Sequence, residues 1–478
     1  MQHPFKSLIT LGSVFGVLAL MAFVYPSDGI KLSNELSLKF PPLSSFLNKK
    51  EAKTDISKIL QLADQINLND SLGIVTDSLQ TKDTTAPKLI TTIQFKNKTA
   101  LNTFFEALST IKSQPSSIRV LHYGDSQIEC DRITDYLRMK LQGQFGGNGP
   151  GFLSLMPVSQ SVTNKIVNGY GWDRYQTFTS KDKRVKHNNF GFTGGFTRFN
   201  QYKTLTDTSV LLSTNVQITT TKMAGTNNLN YKKIKLFYGG SQAKTWCEFY
   251  DGPALAGADS LLEGGNFRIK EFNVTPGSSQ HEFRFKGKDS PDFYGVSLES
   301  PTGVYVDNIA QRGSSGTFFQ HINFGQLKSF YDHFNVKLII LQYGGNALPS
   351  LKDKQSVLNF ASYFKGQIAI IKKAAPNASI LFIGPADMSV KEGADYVTHP
   401  MMEDLRDALR NVAFDNGCAF FDMYDCMGGK NSMVSWVDQK LAATDYIHFS
   451  PQGARKIATL LYSSLINNYN TYAKTKGK

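Results

Sequence analysis

Cysteine is scarce in this chain of 478 residues, with four in all: Cys130, Cys247, Cys418 and Cys426. None forms a Cys-x-x-Cys pair or the His/Cys spacing of a zinc site, which argues against a structural zinc module. A chain this long does not need a disulfide scaffold either, because it can bury ordinary hydrophobic cores. Cys418 and Cys426 keep two readings, a pair formed after export or, the favoured one, two buried thiols. Long blocks of one charge are also missing. Basic side chains number 52 against 39 acidic, a formal +13, but they are scattered. No zinc finger, recognition helix or RNP-like aromatic motif accompanies them, so nucleic acid is not an expected partner. The surplus favours approach to an acidic polymer or an anionic surface. A nucleotide loop is lacking too: Phe145-Gly146-Gly147-Asn148-Gly149-Pro150-Gly151 has no Lys-Ser/Thr ending to grip phosphates. Nothing in the sequence calls for a metal or organic cofactor.

Apolar runs of spanning length are limited to one, Leu8 to Tyr25. It follows Lys6 and precedes neither a small-x-small cleavage site nor a lipid-accepting Cys, so residues 1–25 read as an uncleaved signal anchor in preference to a cleaved signal peptide. Either reading exports the remainder to a periplasmic or cell-envelope location, and the anchor reading tethers it to the inner membrane. Residues 26–117 are polar, with Pro41-Pro42, Lys49-Lys50-Glu51 and Thr81-Lys82-Asp83-Thr84-Thr85, and read as a linker or stalk. Two segments within it have helical period, 58–66 and 100–111; the second carries Leu101, Phe104, Phe105 and Leu108 on one face, suited to packing on the next domain.

What the chain has in quantity is alternation. From Gly303 onward, strands over 336–341, 379–384 and 419–422 alternate with helices over 325–334, 354–374 and 401–416. That order predicts a parallel sheet covered on both faces, hence a flavodoxin-like three-layer α/β/α domain. Between 158 and 301 the helical period vanishes. Short alternating strands such as 209–212, 215–219, 233–238 and 282–285, broken by Gly, Asn and Asp turns, predict a β-sandwich. The α/β domain is therefore expected over 118–157 and 302–470, interrupted by a β-module over 158–301. Trp172, Tyr175 and Trp246 are candidates for stacking on sugar faces, with a core role the favoured reading for each.

Val120 to Ile128 reads as a buried strand that breaks at Gly124 and exposes Ser126 where a helix over 131–142 begins. Free N–H groups there would face a developing oxyanion. Near the other end Asp445 precedes His448 by three residues, ahead of a helical run over 454–467. Hydroxyl, imidazole and carboxylate are the nucleophile, general base and orienting group of serine acyl transfer. His122 and His399 have no recognisable partner in the sequence, and Gly428 to Met433 is read as a strand-to-helix connection in preference to a border of the cleft.

These blocks, in this order, resemble the SGNH (GDSL-type) hydrolases. The first is Gly124-Asp125-Ser126 and the last Asp445 with His448. The second resembles the family at Arg312-Gly313-Ser314-Ser315-Gly316, with Gly316 the better match for the oxyanion N–H and Gly313 the alternate. The third is similar at Gly344-Gly345-Asn346-Ala347, where Ala347 replaces the usual acidic residue and Asn346 is kept. The resemblance implies catalysis by Ser126, His448 and Asp445, an oxyanion hole from Ser126, Gly316 and Asn346, and a jelly-roll-like inserted module. It is nearest to bacterial peptidoglycan O-acetylesterases and covers about residues 118–470. An acetylated cell-wall or surface polysaccharide is then the expected substrate. Two alternatives stand beside it: an O-acetyltransferase using the same triad, with a membrane acyltransferase as its partner, and a non-catalytic membrane-tethered glycan-binding protein.

Overall fold

The computed structural model describes residues 4–25, 30–32, 37–38, 53–71, 92–178, 182–200, 210–393 and 395–477. Five strands build the sheet that positions the site: β1 (Ser117–Gly124), β2 (Gly303–Ala310), β3 (Val336–Gln342), β4 (Ser379–Ile383) and β5 (Ala419–Phe421). They run parallel in the order β2-β1-β3-β4-β5, and Ile93–Gln94 adds an antiparallel edge to β5. Gly124 lies in register with Ala310 on one side and Gln342 on the other. The chain therefore leaves three neighbouring strands at one level, and ligands of open parallel sheets bind outside that carboxyl edge.

Successive side chains of these strands enter two cores. Val120, Leu338, Ile340 and Leu381 pack with helices α1 (Asn102–Thr110), α2 (Thr134–Phe145) and α6 (Pro451–Thr475). Leu121, Ile339, Leu341 and Phe382 pack with α3 (Phe324–His333), α4 (Lys354–Ala374) and α5 (Met402–Asp415) on the other face. Strands buried on both sides need near-continuous apolar sequence, and Leu338-Ile339-Ile340-Leu341 supplies it. Helix starts are set locally: Asp353 and Ser356 form a capping box on α4, and Ser450 caps α6 with Pro451 in its first turn.

The expected linker is in part folded. Ser57–Ser71 is a helix whose Ile59, Ala63 and Ile66 are buried in the core with α6, and Lys456 and Thr459 of α6 contact Asp64 at 2.7 Å and Asn67 at 3.1 Å. Its low apolar content hid this docking. Pro41-Pro42, Lys49-Lys50-Glu51 and Thr81 to Thr85 lie outside the described residues. Pro4–Val24 is helical, and Lys6–Val24, with mean hydropathy 2.2, is long and apolar enough to cross a membrane. Cys418 and Cys426 are free and buried, so they are not a pair.

Between β1 and β2 the chain forms two antiparallel sheets. One contains Leu212–Thr220, Thr245–Asp251 and Gln280–Gly287; the other contains Asp173–Gln176, Gly195–Arg198, Lys233–Gly239 and Asp292–Glu299. Val216, Phe249 and Phe283 of the first share a core with Leu236, Val296 and Leu298 of the second. Ser209 lies outside the described residues, and the strand expected there begins at Leu212. Gly151–Leu153 already pairs with Asp292–Glu299, so the module's sheet begins before residue 158. Trp172 and Tyr175 are buried core residues, whereas Trp246 is 44% exposed. Arg119 of β1 joins module to sheet: fully buried, it donates to Asp307 of β2 at 3.0 Å and to Glu299 and Ser297 of the module at 2.8 and 3.1 Å.

Candidate active site

The turn that carries Ser126 is built where β1 ends. A Cβ on Gly124 would lie 2.9 Å from the end of the Ile128 side chain and 3.2 Å from the Gln342 carbonyl, so a larger residue would crowd both. Asp125 then accepts from the Gln127 N–H at 2.9 Å. The helix expected to begin at 131 begins at Thr134. A kinked turn, Ser126–Asp131, intervenes, with Cys130 and Asp131 in the left-handed region at φ 58° and 65°. The N–H aimed past the sheet edge is thus that of Ser126 itself, which has no acceptor among the described residues.

From the far end of the chain His448 comes back to this turn. Its Nε2 lies 2.8 Å from Ser126 Oγ and its Nδ1 lies 2.7 Å from Asp445 Oδ2. Asp445 Oδ1 accepts from the N–H groups of Ile447 at 2.9 Å and His448 at 3.0 Å, a closed turn that requires Tyr446 at φ 59°. Burial pushes the Asp445 carboxyl up, but the His448 ring and the two N–H groups outweigh it and hold the acid below its ordinary range. Ser126, His448 and Asp445 are brought together as the sequence predicts.

The second and third blocks divide differently. Gly316 donates its N–H to Ser314 Oγ at 3.1 Å, and a Cβ there would meet the Tyr343 ring at 2.6 Å. Its N–H is thus engaged within its own loop and its Cα is packed on Tyr343 and Phe364. Gly313, at φ 76° with nothing within 4 Å of a would-be Cβ, leaves its N–H without an acceptor among the described residues. Asn346 reaches the site: its Nδ2 donates to Asp125 Oδ2 at 3.0 Å and to the Ser314 carbonyl at 3.2 Å. Ala347 is buried, in a position where a carboxylate would be desolvated.

Several participants were not legible in the sequence. Gln127 donates to the Ile447 carbonyl at 2.6 Å and accepts from the Phe449 N–H at 3.3 Å, bracketing the His448 loop against the nucleophile turn. Arg132 adds a bond to the Phe449 carbonyl at 3.0 Å. Local spacing gives no hint of these long-range bonds. Tyr396 stacks on Tyr446 with ring centres 3.7 Å apart. His122, expected without a partner, is buried between Gln342 Oε1 at 3.0 Å and Thr134 Oγ1 at 2.9 Å, and burial lowers it to about 4. Asp387 accepts from Met433 N–H at 2.7 Å and Ser432 Oγ at 3.3 Å, which ties the Gly428 to Met433 loop inward. His399 accepts the Met401 N–H at 3.1 Å, a local turn.

Residues 271–456 match the model of the GDSL-like lipase/acylhydrolase family. The matched span holds Gly313, Asn346, Asp445 and His448 but not Ser126, which the inserted strands separate from it in sequence and the sheet restores in space. Among solved structures, a peptidoglycan O-acetylesterase aligns with a TM-score of 0.61 at 19% identity, over 78% of this chain and 98% of its own. An acetylxylan esterase from Geobacillus stearothermophilus aligns at TM-score 0.23 and 14% identity, over 35% of this chain and 73% of its own. No curated protein matches the chain.

Proposed function

We propose that the protein is a serine esterase that removes O-acetyl groups from a cell-wall or surface polysaccharide. The observation that carries this reading is the continuous hydrogen-bonded chain from Ser126 Oγ through His448 to Asp445, at 2.8 and 2.7 Å. His448 takes the Ser126 proton as Oγ attacks the acetyl carbonyl, then returns it to the departing sugar oxygen; Asp445 holds the imidazole in the tautomer that accepts at Nε2. Water activated by His448 releases acetate from the acetyl-serine and restores Ser126. The oxyanion is held by the N–H groups of Ser126 and Gly313 and by Asn346, whose longer bond to the Ser314 carbonyl is the one it displaces.

The architecture assigned is a flavodoxin-like α/β/α hydrolase layer with an inserted jelly-roll-like β-module, carried on an exported chain tethered by the Lys6–Val24 helix. Its strand order 2-1-3-4-5 supports the first part. The shared fold of the peptidoglycan O-acetylesterase supports an acetylated glycan as substrate. The test is acetate release from 4-nitrophenyl acetate and O-acetylated peptidoglycan by wild type and Ser126→Ala, with chito-oligosaccharide present. Ser126-dependent acetate, indifferent to the oligosaccharide, is the expected result. Acetate appearing on the oligosaccharide would make the protein a transferase, and no Ser126-dependent product would leave a glycan-binding role.

A further inference from the structure

A cavity of about 130 Å³ lies between the inserted sheets and the catalytic layer. That is roughly ten times the 10–15 Å³ that admits a single water, enough for a substituent of several atoms. Two of its lining residues lie close in the chain to the candidate site. Gln311, on its wall, is two residues before Gly313, and Cys130 is four residues after Ser126. Phe152, Met156, Ile166, Phe178 and Phe196 make much of the lining apolar.

Its charges are unequal. Asp131 and Arg138 line it but neutralise each other through two bonds of 2.6 and 3.0 Å. Beside it Arg312 is likewise matched by Glu129, at 2.6 and 2.7 Å. Arg174, on the module strand Asp173–Gln176, also lines the cavity and donates only to the Met156 carbonyl at 3.1 Å; it joins no ion pair among the described residues. Arg174 is exposed on its outer side; its partial desolvation, and then the positive charge of Arg312, push the guanidinium below its ordinary range. An anion entering the cavity would relieve that repulsion and gain charge-assisted hydrogen bonds.

We propose that this cavity is a carboxylate subsite, in which Arg174 binds a carboxylate borne on a short alkyl arm or ring of the sugar whose acetyl ester Ser126 attacks. The inference rests on the esterase reading and gives it a substrate class, acidic glycans. A free acetate ester has nothing to place there, and a neutral glycan leaves Arg174 unmatched. The carboxylate has two chemical sources, an ether-linked lactyl group or a uronic acid.

Arg174→Met removes the charge and keeps the bulk at a side chain that carries no structural ion pair. Calorimetric binding is measured for two deacetylated probes, a lactyl-bearing muramyl disaccharide and a hexuronate disaccharide, each also with its carboxyl amidated. A hydrogen bond to a charged group is worth about 1.5–3 kcal/mol, so binding of one acid probe should weaken about tenfold or more in Arg174→Met, and equally on amidation in wild type. The acid probe affected identifies the source. In parallel, KM for the corresponding O-acetylated glycan should rise by the same factor, with 4-nitrophenyl acetate turnover within about twofold. Equal binding of acid and amide for both probe pairs, or of both acids by wild type and Arg174→Met, overturns the subsite. So does a cavity-dependent preference for nitrophenyl butyrate or octanoate, which would give the space to the acyl chain. Loss of Ser126-dependent nitrophenyl acetate hydrolysis would instead refute the esterase reading, while the binding arms still decide the subsite.

Discussion

Asp125 Oδ2 accepts a hydrogen bond from the Asn346 side-chain amide at 3.0 Å, joining the residue before Ser126 to the turn that follows β3. Its other oxygen takes the Gln127 N–H, and burial, opposed by these bonds and by His448, raises the carboxyl to about 6. A buried acid of this kind aims the amide at a cost in stability.

Asp125→Asn keeps the bond from Gln127 but sets an amide donor against the Asn346 donor. The kcat should fall about tenfold or more, because Asn346 loses the acceptor that aims it. Since the folded carboxyl is raised above its unfolded value, wild type loses stability as pH rises from about 4 to about 6. The variant's stability relative to wild type should therefore improve over that window, by up to about 3 kcal/mol. Denaturant titrations at several pH values measure it. A pH-independent difference would mean that Asp125 does not titrate in that range.

His122 makes the opposite contribution. Burial depresses it to about 4, so the stability it confers is present above its unfolded value near 6.5 and is lost as pH falls toward 4. His122→Asn should cost stability at pH 7 and cost up to about 3 kcal/mol less at pH 4. The same titrations check this, and a constant cost would contradict it.

The two glycines of the second block differ in their surroundings. In Gly316→Ala the new Cβ meets Tyr343 at 2.6 Å on a backbone already at φ 75°, so thermal stability should drop by about 1–3 kcal/mol. Gly313→Ala faces open space and should lose only about 1 kcal/mol, the cost of a left-handed backbone without glycine. Calorimetry of both variants makes the comparison, and a larger loss at Gly313 would contradict it.

That pair also marks what could be read in the sequence. The alternation after Gly303 was legible because local period carries it, and the Asp445–His448 turn because both residues lie three apart in one stretch. The choice between Gly313 and Gly316 was not, since it depends on the Tyr343 and Phe364 rings arriving from other elements. The helix at Ser57–Ser71 was legible over 58–66, but its docking was not, because its few apolar residues become core only against α6. Gln127 and Arg132 were invisible for the same reason, because their partners lie more than three hundred residues away.

Arg119 binds module to catalytic sheet, and neither of its carboxylate partners is exposed. Arg119→Met should destabilise the protein by about 3–5 kcal/mol, because Asp307 and Glu299 remain buried without their cation. Adding Asp307→Asn should recover part of that loss. Equilibrium unfolding of the single and double variants measures it, and equal stability of Arg119→Met and wild type would rule out the coupling.

The most direct measurement is labelling with a fluorophosphonate probe, followed by peptide mapping. Attachment at Ser126, slowed at least about a hundredfold in His448→Ala and abolished in Ser126→Ala, is the expected result for an activated serine. A probe that leaves Ser126 unmodified, or labels it equally fast without His448, would contradict catalysis by this triad.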